Sequence, residues 1–132
     1  MRHALFLPIV LAFAAAAAAA DGPAICAVEQ AILCPRVDVC ERVLPAAVNL
    51  PALLRLDPAA GVIEARLDDG TVRRSPVSSV TEAEGAMLLQ GADDDLPWSL
   101  TVDTATGDFS MVIADRLAGY VAFGTCSRAL AR

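Results

Sequence analysis

The chain has 132 residues, a formal net charge of −6, ten arginines but no lysine, and one histidine, His3. That negative balance disfavours nucleic acid, whose binding depends on neutralising phosphates, and anionic membrane surfaces. It favours encounter with a basic partner.

Residues 1–20 read as a secretory signal peptide. Met1, Arg2 and His3 form a short positive start, and Leu5 to Ala20 is apolar apart from a tolerated Pro8. Ala18-Ala19-Ala20 before Asp21-Gly22-Pro23 supplies the small residues that cleavage needs. Several small-x-small sites overlap, so the cut falls within Ala14–Ala20. As a membrane span the run is short, and half of it is weakly apolar alanine. Lipoprotein processing does not fit either, because Ile25 precedes Cys26 and Pro23 stands where a leucine-like residue is expected. The reading is of export with no stable membrane anchoring, periplasmic in the first instance and secreted extracellular in the second.

Cut after Ala20, residues 21–132 form one disulfide-stabilised β domain of 112 residues. A chain of this size buries roughly two thirds of its surface. Without Arg2 and His3 it carries nine arginines against sixteen carboxylates, a net charge of −7. It then has neither histidine nor lysine. A triad base, a histidine metal ligand, a Schiff-base lysine and a phosphate-binding lysine are all excluded. No catalytic residue, cofactor or metal ligand set is assigned, and a non-enzymatic role is expected.

Taken in chain order, Ala27 to Leu33 reads as either a strand or one or two helical turns. From Leu50 onward, short alternating segments are separated by turn signals, the pattern of an antiparallel all-β domain. Leu54 and Leu56 alternate with Arg55 and Asp57, and Asp57-Pro58-Ala59-Ala60-Gly61 turns the chain. Ile63, Ala65 and Leu67 alternate with Glu64 and Arg66 before a second turn at Asp68-Asp69-Gly70. A polar strand over Thr71 to Ser75 is expected to stop at Pro76, and Val77 to Gly85 is either a strand or a loop. Ala86 to Gln90 is an apolar segment that Gly91 is expected to close. Trp98, Leu100 and Val102 then share one face, and Phe109, Met111 and Ile113 repeat the pattern after Gly107. Gly119 to Gly124 is the last strand. These elements predict a small antiparallel up-and-down meander curling into a barrel-like sheet, with a disulfide-fastened N-terminal segment; a two-sheet sandwich is the alternative.

Cys26, Cys34 and Cys40 lie close together in sequence, and Cys126 is distant. The spacings lack the close pairs of a structural zinc site and the C-x-x-C of thioredoxin-like chemistry. An even count in a small exported domain reads as two disulfides. Three pairings are possible. Cys34–Cys40 with Cys26–Cys126 is preferred, because the first and last elements of a closing meander are neighbours; Cys26–Cys34 with Cys40–Cys126 is the main competitor. Asp93-Asp94-Asp95 lacks the ligand spacing of a calcium loop and reads as a solvated turn. Arg73 and Arg74 alternate to opposite faces of a strand as solvated or salt-bridged residues. Glu82 and Glu84 raise a carboxylate-only hydrolase as the weakest reading. Trp98 and Tyr120 are the candidate binding-surface residues, with packing as the alternative role for both.

Asn49-Leu50-Pro51, Leu54-Arg55-Leu56-Asp57, Leu89-Gln90-Gly91, Trp98-Ser99-Leu100, Thr106-Gly107 and Phe123-Gly124-Thr125-Cys126 are spread over most of the mature chain. With the cysteine cluster, they resemble a set of small exported alphaproteobacterial proteins of unassigned function. The resemblance implies bacterial export and no activity. The leading expectation is a binding or inhibitory module for a basic periplasmic or extracellular protein, such as a lysozyme-type hydrolase. A small-barrel carrier of an apolar ligand is the second.

Overall fold

The computed structural model describes residues 22–127. The leader and its cleavage site lie outside the described residues. The described residues form nine strands: β1 (Ala24–Pro35), β2 (Glu41–Val43), β3 (Leu53–Asp57), β4 (Val62–Arg66), β5 (Val72–Ala83), β6 (Ala86–Asp93), β7 (Leu96–Asp103), β8 (Asp108–Ala114) and β9 (Ala118–Cys126). Each of β3 to β9 pairs antiparallel with the next, and β9 returns to β1, which also pairs with β3. Eight strands therefore close into a barrel, and short β2 stands outside it on the edge of β1. The expected meander is present, and it closes fully.

Closure is made by β1. This strand is not helical at any point: Ala24, Cys26 and Val28 alternate inward with Ile25 and Ala27, as a half-buried strand requires. Glu29 is an extra residue between the pairs Val28↔Gly124 and Gln30↔Phe123, a bulge that resets the alternation so that Ala31 points inward next. The ladder to β9 runs from Cys26↔Cys126 to Pro35↔Ala118. Cys26 is disulfide-bonded to Cys126, and Cys34 to Cys40. The first bridge joins directly opposed residues. Ser127 N–H donates to Ile25 O at 2.7 Å, while Cys126 N–H turns away to Gly107 O at 2.7 Å. Cys26 and Cys126 thus form a non-hydrogen-bonded pair, the site where facing side chains lie closest.

The interior is packed with side chains. Leu56, Leu89, Leu100, Val102 and Cys26 are fully buried, and Trp98, Phe109, Met111, Ile63 and Leu54 complete the core. Each buried leucine of this kind stabilises by roughly 1.5–3 kcal/mol. Two large rings fit because glycines face them across the ladder. Trp98 opposes Gly91, and a Cβ there would lie 2.8 Å from its Cε2. Phe109 opposes Gly124, where a Cβ would lie 2.7 Å from its Cε1 and overlap the Ala27 carbonyl. Large and small residues thus alternate to fill a narrow barrel.

Two expected strand ends are corrected. β5 does not stop at Pro76 but runs on to Ala83, changing partner on the way: residues 72–76 pair with β4, and 77–83 with β6. Val77 N–H donates to Gly61 O at 2.9 Å, so the alternation of the ladder turns the Pro76 nitrogen away from β4 and its missing donor costs no bond there. A bulge at Ser78 follows, and Ser78–Ala83 has β6 on one side and no strand on the other. Gly91 likewise does not close β6, which continues to Asp93; it makes room for Trp98. The chain reverses instead at Asp94 and Asp95, with Asp94 at φ 53°.

The two bridges predict different stability losses. Replacing Cys26 and Cys126 together by alanine releases the long loop and should cost about 4–5 kcal/mol; the same change at Cys34 and Cys40 should cost about 2–3 kcal/mol. Urea unfolding of the two double variants measures the difference, and equal losses would contradict the assignment of barrel closure to the long bridge.

Candidate functional site

Turns at the two ends of the barrel differ in character. One end carries the β3–β4, β5–β6 and β7–β8 turns. There Asp103 accepts the Ala105 and Thr106 N–H groups at 2.8 and 2.9 Å, and these bonds, Thr106 foremost, hold its carboxyl below the usual range. Glu82 and Glu84 stand exposed on the β5–β6 hairpin at this end.

The opposite end holds the β1–β2 loop, the β6–β7 turn and the β8–β9 turn. Cys34 and Cys40 close the loop Pro35-Arg36-Val37-Asp38-Val39 on itself. Its register follows directly from the β1–β2 pairs, the last being Leu33↔Glu41. At its tip Val37 is 93% exposed and Val39 78%. Arg36 N–H donates to Leu117 O at 2.8 Å, which fixes the loop beside the β8–β9 turn, where Leu117 is 72% exposed. Asp115 shapes that turn by accepting the Leu117 and Ala118 N–H groups at 2.6 and 2.9 Å. These bonds, with the Leu117 amide foremost and the Arg116 charge helping, hold its carboxyl below the ordinary value.

Next to Leu117, an open cleft of about 630 Å³ is lined by Asp95, Leu96, Pro97, Ala114, Asp115, Arg116 and Leu117. Three apolar side chains thus project from two fastened loops, beside a shallow cleft with carboxylates on its rim. Isolated exposed apolar residues are ordinary. Here Val37 and Val39 stand on one loop and Leu117 on the turn hydrogen-bonded to it, three exposed apolar residues on adjoining backbone.

The residues singled out from the sequence distribute differently. Trp98 is only 5% exposed, and its ring lies inside the barrel against Gly91, so it offers no binding surface. Its Nε1 has no hydrogen-bond partner among protein atoms. Tyr120 is half-buried on the inward side of β9, opposite Ile113 and Leu33. Arg73 pairs with Asp93 at 3.5 Å, and Arg74 with Glu64 at 2.9 Å; Glu64 also binds Arg55 at 3.1 Å. The Asp93-Asp94-Asp95 run is therefore split between an ion pair and a two-residue turn. Among the described residues, no three acidic, histidine or cysteine side chains converge on one point, and no helix is long and apolar enough to cross a membrane.

Of Leu100, Val102, Phe109, Met111 and Ile113, the side chains that would line a ligand chamber, the first four pack together in the core and Ile113 lies partly buried against them. Leu100 and Val102 present no surface that a water could touch. The apolar-carrier reading needs an interior that these residues fill. The Val37–Val39 tip was missed in the sequence, although two valines between two nearby cysteines are its signal. Comparison with protein-family models, curated proteins and solved structures found no match. The two disulfides fit an oxidising compartment outside the cytoplasm.

Asp115 gives this end a defined acid response. A carboxyl whose folded pKa is depressed contributes order above its unfolded value and loses it as pH falls through the folded one. The Leu117 and Ala118 amide resonances should therefore titrate together with a midpoint below 3.8, the ordinary carboxylate value. The titration should vanish in D115A; a midpoint at or above 3.8 would contradict the role given to these two bonds.

Proposed function

We propose that this protein is an exported, non-enzymatic binding or inhibitory module that docks on a basic protein partner through the Val37–Val39 end of its barrel. The carrying observation is the loop closed by Cys34 and Cys40, which holds two nearly naked valines away from the core and beside Leu117. Ordering such a loop before binding reduces the entropy lost on association, which is how small constrained loops reach useful affinity. The excess of carboxylates, with Asp95 and Asp115 on the adjoining rim, favours a positively charged partner and faster encounter. The apolar leader and the two disulfides support a periplasmic location, with secretion to the exterior as the alternative. A lysozyme-type hydrolase is the concrete partner class, by analogy of charge and compartment.

The mature protein immobilised on resin should retain a basic protein from a periplasmic extract at low salt and release much of it at high salt. The V37D/V39D variant should weaken that affinity tenfold or more, the loss of about 1.4 kcal/mol. Equal retention by the variant would move the docking site elsewhere. Background alone at low salt would remove the reading.

A further inference from the structure

The two disulfides differ in what they hold and in what can reach them. Cys26 and Cys126 are buried in the core, at 0% and 5% exposure, with β3 and β8 paired on either side. Cys40 is exposed and Cys34 partly so. No residue from Arg36 to Leu50 is buried, a stretch that includes β2 and a single 3₁₀ turn at Pro45–Val48. Strand β2 pairs with β1 through only three residues, Glu41, Arg42 and Val43, and its other edge is open. Leu50, at the far end of this segment, is partly buried against the core; from Arg36 to Leu44 the chain is held by that pairing, by the bond from Arg36 N–H to Leu117 O and by the Cys34–Cys40 bridge. A segment with few buried contacts opens locally at low cost.

We infer that the Cys34–Cys40 bridge is a reversible redox fastening that sets whether the Val37–Val39 loop is held or free, while the Cys26–Cys126 bridge keeps the barrel closed in both states. This inference rests on that loop being the docking element. The reductant is a dithiol of the thiol–disulfide oxidoreductase class. Its thiolate attacks the exposed Sγ of Cys40, the bond between the two sulfurs breaks, and Cys34 leaves as a thiolate that takes up a proton. The second thiol of the reductant then attacks the mixed disulfide, releasing Cys40 as a thiol and leaving the reductant oxidised. Two electrons and two protons pass to the protein. The same attack at Cys26–Cys126 is blocked, because no thiolate reaches those sulfurs until the barrel opens. Reversal runs through the same mixed disulfide: the oxidised form of the dithiol partner takes back the two electrons, the Cys34 thiolate displaces it from Cys40, and the β1–β2 register, which ends at Leu33↔Glu41, leaves the two cysteines close together for that step.

Graded dithiothreitol at neutral pH, followed by alkylation with iodoacetamide and peptide mass spectrometry, tests the inference. At reductant levels that leave Trp98 fluorescence unchanged, Cys34 and Cys40 should be fully alkylated, with Cys26 and Cys126 unlabelled. Amide exchange over residues 37–43 should then quicken tenfold or more, while β7 and β8 stay protected. A C34S/C40S variant should show the same fast exchange without reductant. Loss of both bridges together, resistance of the outer bridge until the fold is lost, or unchanged exchange over residues 37–43 would each overturn it. None of these readouts uses a partner. Failure of partner capture would remove the docking role but leave the measured bridge selectivity intact.

Discussion

The structure depends on the junction of its first and last strands. Seven of the eight barrel strands form by local hairpins, each needing only its neighbour. Joining β1 to β9 is what turns that open ribbon into a barrel, and with it both strands lose a free edge. Cys26 and Cys126 sit at one end of that ladder as directly opposed residues, so the covalent bond and the hydrogen bonds enforce the same register. A one-residue slip would turn Cys26, Ala24 and Val28 outward and set Ile25 and Ala27 against the core.

Closure also imposes the interior. Eight strands leave room for side chains and little else, so every large ring needs a small neighbour. Gly91 beneath Trp98 and Gly124 beneath Phe109 meet that demand on two different strands. Leu56, Leu89, Leu100 and Val102 fill the centre, and the loops stand outside it. Of these, the β1–β2 loop carries its own covalent fastening, which gives a short coreless segment a persistent shape.

Much of the fold was legible because period-two alternation is a local property. Trp98-Leu100-Val102 and Phe109-Met111-Ile113 face one another in the structure as their spacing predicts. The two disulfides were legible because closure makes the first and last strands neighbours. The strand through Pro76 was not legible, since whether a proline breaks a ladder depends on which side its nitrogen faces, and that is fixed by β4 and β6. Gly91 carried the same ambiguity between a turn and a hole for a ring, and only Trp98 opposite resolves it. Trp98 as a surface residue failed for that reason. The Val37–Val39 tip carried a signal in two valines between nearby cysteines, but their exposure is decided by the absence of neighbours, which that spacing alone does not state.

The long bridge has a further consequence for how the molecule comes into being. Its two cysteines are separated by 100 positions, so the ladder that closes the barrel joins the first and the last of the described strands. Hairpins in the middle can flicker into place early, but the barrel cannot close until β9 is available to β1. Topologies dominated by such distant contacts fold slowly. Such a fold stays open until β9 meets β1, and the bridge then fixes it in a compartment that permits the oxidation.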